Sequence, residues 1–517
     1  MDKYNLDTTT VALDKSLVES QYTKMEVDRE QYLERAREVA KLTIPHLYPP
    51  KGANEATEYP TPYQSVGSRG VTNLASKLML ALFPPQAPFF RLDVDELVYK
   101  QIEGDPNQKA TIEQGLAKIE KAVMDSIESN NDRVAVYEAL KHLIVSGNVL
   151  LKMSEDGLRT YPLNNYVVKR DPQGKILKII IKEGISPNTL SEKLRRNIGD
   201  KINDENKSLH LYTCVYREKK RFYVHQEIAK QKVFEKYYDL DKLPFIALRF
   251  NRIDGMNYGR GHCETFEGDL RSLEGLTRAI LEGSSASSKM LFMISPNGAI
   301  IEGNAQDVSV LQANKFADFR VGYEMMGRIE QRLQFAFLLN ASVQRQAERV
   351  TATEVQLVAN ELNDALGGVY GILTTEFQLP YINTKLNMLK EQKLLPNLPK
   401  ELVKTKIIVG MEALGRASDR LRLLQFMSDL ANTLGAERLA QYINLDDAIK
   451  KFAVANGIDT GGLIKSQEQI QQEAQAQQQQ QFANQALADP RVAIEAGKSL
   501  ANSGASVNAN GEIETEE

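Results

Sequence analysis

Apolar residues recur three and four apart along much of the chain, the period of helices packed by one face. Over residues 25–42, Val27, Leu33, Ala36, Val39 and Ala40 are set among charges and run into Thr43-Ile44-Pro45, which predicts a surface-packed helix with a proline stop. A second helix is expected over residues 66–83: it is rich in small residues, spaces Leu74, Leu78 and Leu82 by four, and ends at Pro84-Pro85. Residues 110–128 and 134–146 continue the helical period until Gly147-Asn148 turns the chain. β-Branched and aromatic residues then take over between Gly, Pro, Asn and Asp punctuation, predicting strands over residues 149–153, 166–170, 176–182, 209–217, 221–225 and 245–250. Arg170-Asp171-Pro172-Gln173-Gly174-Lys175 reads as the turn of a hairpin. The first half is therefore mixed helix and strand.

Past Gly259 long helices return. Residues 264–290 carry Leu270, Leu273, Leu276, Ile280 and Leu281 as an apolar stripe beside Asp269, Arg271, Glu274 and Arg278. Pro296, Gly298 and Gly303 break the period over residues 291–318, where Val308, Val310 and Leu311 mark a strand-and-turn insert. The helical period resumes over residues 319–340, with Met325, Ile329, Leu333, Ala336, Phe337 and Leu339 on the side expected to be buried. A charged connector follows, then Thr351 and Glu354 at capping-box spacing open another helix. That helix is expected to bend at Gly367-Gly368 and to be interrupted again at Pro380; about 40 helical residues would span roughly 60 Å. Further helices over 416–434, 436–442 and 445–456 read as a compact cap. Residues 466–485 are Gln/Ala-rich, a frayed helix by composition, and residues 497–517 offer so little to bury that no order is expected. The fold class is α+β and mostly helical.

At 517 residues the chain exceeds what one core normally supports, so several structural regions are expected. Hydrophobic residues at 42% and charged residues at 26% suit well-packed regions with a charged surface, and a mean hydropathy of -0.37 argues against a membrane-embedded chain. No apolar run is long enough to cross a bilayer, and residues 1–13, acidic and Thr-rich, lack the basic-then-apolar order of a secretion signal. With 64 Lys and Arg against 68 Asp and Glu, the net charge of -4 gives no broad field for gripping phosphates, yet permits a protein that DNA slides past.

Candidate chemistry is sparse. The two cysteines, Cys214 and Cys263, cannot staple a chain of this size, which points to a reducing compartment. His46, His142, His210, His225 and His262 fall singly, without a zinc spacing. No Walker A run and no G-x-S-x-G elbow occurs. Asp269/Glu274 and Glu361/Asp364 could be drawn as carboxylate dyads, but they sit in long helices where solvated faces and caps are commoner. Neither an enzyme nor a cofactor is expected.

Four ordered stretches resemble the portal, or head-to-tail connector, proteins of short-tailed double-stranded DNA bacteriophages. They are Tyr63-Gln64-Ser65-Val66-Gly67-Ser68-Arg69-Gly70 with Asn73-Leu74-Ala75-Ser76-Lys77-Leu78-Met79-Leu80-Ala81-Leu82-Phe83-Pro84; Gly268-Asp269-Leu270-Arg271-Ser272-Leu273-Glu274; Gln344-Arg345-Gln346-Ala347-Glu348-Arg349-Val350-Thr351-Ala352-Thr353-Glu354; and Glu361-Leu362-Asn363-Asp364-Ala365-Leu366-Gly367-Gly368-Val369-Tyr370. The resemblance spans about residues 20 to 465. It implies a wing over residues 1–260, stem helices over 261–290 and 319–342, a clip over 291–318 that includes Val308, Val310 and Leu311, and a tunnel loop over 343–352. A long wing helix with its connector over 353–411, a crown over 412–485 and a disordered tail over 486–517 complete that division.

The same resemblance implies stem packing by Leu273, Ile280, Ile329 and Leu333, and a DNA channel lined at the tunnel loop by Arg345, Glu348 and Arg349. It implies a homododecameric ring at one capsid vertex of the virion, assembled in the host cytoplasm and passing double-stranded DNA without reading sequence. Its implied partners are the terminase large subunit, which supplies ATP hydrolysis and docks at the clip, then a tail adaptor, scaffolding and major capsid proteins, and internal core proteins at the crown. No membrane is involved. Geometry agrees: twelve helices side by side at about 10 Å leave a bore of roughly 28 Å, wide enough for a duplex of about 20 Å, whereas six leave about 9 Å. Two other classes compete, a tail or internal-core structural protein without terminase contact, and a DNA-processing enzyme with metal-dependent nuclease or ATPase activity.

Overall fold

The structure, a computed structural model, describes residues 16–54, 56–85, 89–94, 106–190, 192, 209–287, 291–294, 308–311, 316–339, 352–366, 368–395, 405–409, 425–430, 432–433, 505–507 and 513–515. Its contacts divide the chain into two units, residues 1–433 and residues 434–517.

The first unit opens with α1 (Val18–Leu42), which starts seven residues ahead of the helix expected from periodicity. The carboxylate of Glu227 accepts a hydrogen bond from the N–H of Val18 at 3.1 Å and so anchors the extra turns from far along the chain. Next comes α2 (Val66–Leu82), whose buried positions Val71, Leu74, Ala75, Leu78, Ala81 and Leu82 follow the spacing read from sequence. Gln64 joins the two helices: its Nε2 donates to the carbonyl of Leu42 at 2.6 Å and its Oε1 accepts from the N–H of Gly67 at 2.8 Å.

Strand β1 (Phe90–Val94) and helices α3 (Pro106–Ser129) and α4 (Asp132–Ser146) follow. The last helix is closed by Gly147 at φ +74, a left-handed position whose added Cβ would lie 2.2 Å from the Arg260 carbonyl carbon. Strands β2 (Asn148–Ser154) and β3 (Gly157–Pro162) form a hairpin, and the antiparallel sheet order β3-β2-β9 is completed by β9 (Phe245–Arg249).

Between them runs a five-stranded antiparallel meander: β4 (Tyr166–Arg170), β5 (Ile176–Ile185), β6 (Leu209–Glu218), β7 (Arg221–Ile228) and β8 (Gln231–Asp239). The expected turn is present, with Asp171 Oδ1 accepting from the Lys175 N–H at 2.7 Å. The apolar run in β5 reflects cover on both faces: Ile179 and Ile181 join the main core, while Ile180 packs with Val18, Tyr22, Val167, Tyr212 and Cys214 beneath the start of α1. Strands β1, β3 and β8 have no counterpart in the sequence reading.

The second half of the unit is helical. A single turn, α5 (His262–Thr265), leads into α6 (Glu267–Ser287); β10 (Leu291–Ile294) pairs antiparallel with β11 (Val308–Leu311), and α7 (Phe316–Ala336) returns. The expected long helix is broken into α8 (Ala352–Ala365) and α9 (Val369–Leu373), a π-helical segment at Thr374–Gln378, and α10 (Leu379–Glu391). Gly368 at φ +91 makes the first break. At Pro380, where an interruption was expected, helix continues; the wider π turn just before it accommodates the missing backbone donor. Strand β12 (Thr405–Val409) pairs with β1.

One continuous core takes in buried residues of α1–α4, of the three-stranded sheet and of α8 to α10. A buried cluster locks α10 onto α4: Asp132 Oδ2 accepts from Tyr381 Oη at 2.6 Å and from Lys385 Nζ at 3.0 Å, while Oδ1 accepts from the Leu158 N–H at 2.9 Å. Burial, and next the Asp132 carboxylate, push the Tyr381 hydroxyl well above its ordinary range, so it stays a donor. Segregated helices and antiparallel sheets make the fold class α+β.

In the second unit, Ala505–Val507 pairs antiparallel with Ile513–Thr515, a stretch for which composition predicts no order.

Candidate functional site: a helical hairpin and its seat

The two long helices α6 and α7 form an antiparallel hairpin. Arg332 pairs with Asp269 at 2.8 Å, the Thr277 hydroxyl reaches Met326 Sδ at 3.6 Å, and Ile280 Cδ1 lies 3.7 Å from a Cβ placed on Gly322. Rising numbers on one helix meet falling numbers on the other. Of the residues expected to pack this stem, Leu273, Ile329 and Leu333 are buried in the hairpin and Ile280 is half-buried. Leu281 and Met325, which periodicity assigns to the buried stripe, are instead 51% and 47% exposed. They lie just off the arc that faces the partner helix, and in a hairpin only one arc of each helix is covered.

The lower end of the hairpin is seated on α1 and α2. Phe337 rests against Gly70, where an added Cβ would lie 2.5 Å from the ring's Cγ. Asn73 Nδ2 donates to the carbonyls of Phe337 and Leu338, both at 3.0 Å, and His262 Nε2 donates to the carbonyl of Ala336 at 3.0 Å. Together they satisfy carbonyls that the end of α7 leaves without helical partners. Burial among Phe250, Phe266 and Phe337 depresses the His262 pKa, which keeps the ring neutral and leaves Nε2–H as the donor. Glu274 accepts from the backbone N–H groups of Tyr63 and Gln64 at 3.0 and 3.1 Å. Arg35 pairs with Glu264 and Arg271 with Glu38, so α1 also holds the base of the hairpin, while Lys77 with Glu361 ties α2 to α8.

These contacts account for the carboxylates that could have been drawn as dyads: Asp269, Glu274 and Glu361 each serve a structural partner. Among the described residues no group of three or more His, Cys, Asp or Glu is placed to hold a metal ion, and no helix is long and apolar enough to cross a membrane. Cys214 and Cys263 are buried and not joined in a disulfide, the Cys263 thiol raised by burial.

At the far end of the hairpin, the strand pair expected of the insert is in register: Val308 opposite Ile294, Val310 opposite Phe292 and Leu311 opposite Leu291. Arg345, Glu348 and Arg349 lie outside the described residues, as does the expected cap over 412–485 apart from helical residues 425–430 and 432–433. Sequence reasoning missed the seat. Its only signal was the small-residue character of α2, which gives room for close packing but does not say against what.

A family model described as bacteriophage head to tail connecting protein matches residues 15–464. The portal protein of Enterobacteria phage T3 is 40% identical over 493 residues, covering 90% of this chain and 91% of the relative. That of Escherichia phage T7 is 40% identical over 490 residues, covering 89% and 90%. The portal protein of Enterobacteria phage SP6 is 30% identical over 494 residues, covering 90% and 94%.

Proposed function

Because the chain belongs to the bacteriophage head to tail connecting protein family, we propose that twelve copies form a portal ring at one capsid vertex through which double-stranded DNA is packaged and later ejected. The observation that carries this reading is the match over nine-tenths of both chains to relatives named portal proteins.

The hairpin supports it physically. In this reading α6 and α7 are the stem, each 21 residues and about 30 Å long, and twelve hairpins supply the wall whose bore passes a duplex. The β10/β11 insert is the clip, which docks the terminase large subunit during packaging and the tail adaptor afterwards. Residues 1–260 with 353–411 form the wing toward the scaffolding and major capsid proteins, and residues 412–485 the crown toward internal core proteins. The ring has no hydrolytic role; terminase supplies it.

Arg345, Glu348 and Arg349 belong to the channel in this reading. Twelve copies repeat each charge around the bore, so weak phosphate contacts add up, while Glu348 offsets part of the attraction and keeps the duplex mobile. Contacts to phosphates read no bases, as a conduit for a whole genome requires. The double substitution Arg345→Ala/Arg349→Ala is expected to leave ring assembly intact and to reduce the DNA packaged or retained per head, with a defect that changes with ionic strength. Normal packaging and retention across salt concentrations would contradict the channel role.

A further inference from the structure

Positive charge gathers beneath the turn between β4 and β5. Arg170 ends β4, Arg249 ends β9 and Arg252 lies just beyond it. A Cβ built on Gly174, at φ +87 in that turn, would lie 2.9 Å from Arg249 Nη2 and 3.0 Å from Arg252 Nη2, so two guanidiniums converge where the turn carries no side chain. Burial, and next the charge of Arg249, lower the Arg170 pKa to about 10, as crowding of cations requires.

The counter-charge is incomplete. Arg170 donates to the carbonyls of Asn257, Gly174 and Ala247, Arg249 Nη1 to that of Met256 and Arg252 to that of Gln173, all neutral acceptors. Among the described residues the one carboxylate paired with any of the three is Glu376, in the π-helical segment, and its Oε1 stands 3.7 Å from Arg249 Nη2, beyond hydrogen-bond reach. Asp171, in the same turn, gives its Oδ1 to the Lys175 N–H instead. Arg249 is 2% exposed, yet its Nε and Nη2 have no hydrogen-bond partner. A buried guanidinium with two open donors is costly to leave so.

We propose that this cluster binds a small oxyanion of the phosphate class, with the buried Arg249 at its floor and the exposed Arg252 at its mouth. Guanidiniums present paired N–H donors that match the oxygens of such an ion, which a halide cannot engage in the same way. A water could accept from Arg249, but it would add no negative charge where three cations meet one carboxylate. The burial of Arg249 also selects a free ion over a phosphate fixed in a duplex backbone. Once bound, the ion ties the β4–β5 turn to the end of β9 and takes over from Glu376 as the partner of Arg249. The inference stands apart from the ring reading and does not depend on it.

The test is thermal unfolding of the full chain in millimolar inorganic phosphate, against chloride at matched ionic strength and below the concentrations at which excluded salts stabilise any protein. The wild type is expected to gain stability saturably, and equilibrium dialysis with labelled phosphate to find a single ion per chain. Arg249→Met, which puts an apolar side chain in place of an underpaired cation, should lose the response. If that variant does not fold, Arg252→Ala, at the exposed mouth, carries the test and should weaken binding about tenfold. Glu376→Gln should tighten it, because the competing carboxylate is gone. Equal responses to phosphate and chloride would show that water alone fills the site and would overturn the proposal, as would unchanged affinity in both Arg252→Ala and Glu376→Gln. A short DNA duplex that displaces the phosphate would overturn the assignment to a free ion.

Discussion

Phe337 fills the space that Gly70 leaves open: a Cβ built on Gly70 would lie 2.5 Å from Cγ and 2.9 Å from Cβ of Phe337. This contact joins the end of α7 to the middle of α2, and Asn73, one turn further along α2, caps the Phe337 and Leu338 carbonyls. Together with Glu274 on the Tyr63 and Gln64 N–H groups and Arg271 on Glu38, it fixes the hairpin to the mixed α/β body.

Gly70→Ala should destabilise the chain. Overpacking costs about 1–3 kcal/mol, and better helix propensity returns about 1 kcal/mol, so the net loss is up to about 2 kcal/mol. Denaturant unfolding measures it. The loss should shrink when Phe337→Ala is added, because the two residues are in contact; simple additivity would show that Gly70 matters for another reason.

Lys385→Met should cost about 3–5 kcal/mol, since it leaves the Asp132 carboxylate buried without its cation. Adding Asp132→Asn should recover much of that loss. Equal instability of the single and double variants would place the damage elsewhere than in an uncompensated charge.

His142 makes stability fall on acidification. Burial, with smaller contributions from His46 and Lys141, lowers its folded-state pKa from 6.5 to about 4. Below pH 6.5 the unfolded chain takes up a proton that the folded chain refuses, so stability is lost as pH falls from 6.5 toward 4, by about 3 kcal/mol at most. His225 and His262 shift in the same direction, so the comparison that isolates His142 is wild type against His142→Phe. The variant should lose less stability between pH 7 and pH 4; parallel curves would contradict the assignment.

Leu333→Asp places a carboxylate at a fully buried position between α6 and α7. The hairpin should open and assembly fail, while circular dichroism retains the signal of the α/β body. Closed rings at the wild-type concentration threshold would show that the hairpin core is not needed for assembly.

What the sequence revealed followed the range of the interactions. The stem helices were legible because Leu270, Leu273, Ile329 and Leu333 repeat at helical spacing and are buried as that spacing requires. Strand β8 was not, because Gln231–Asp239 lies open to solvent along most of its length and needs no alternation of polar and apolar residues. The extra turns of α1 depend on Glu227, 209 positions away, and the Gly70–Phe337 seat joins positions still farther apart; neither has a local signal. Periodicity also marked Met325 as buried, but it lies just off the arc of α7 that α6 covers and is 47% exposed. Residues 505–507 and 513–515 pair as strands, which the Asn, Gly, Ser and Glu content of the sequence there does not announce.

Native mass spectrometry of the purified, assembled chain tests the central claim most directly. The account predicts a closed species near twelve times 58.0 kDa, about 0.70 MDa. A chain that remains monomeric, or that closes into rings of six or fewer with a bore of about 9 Å, too narrow for a duplex, would contradict it.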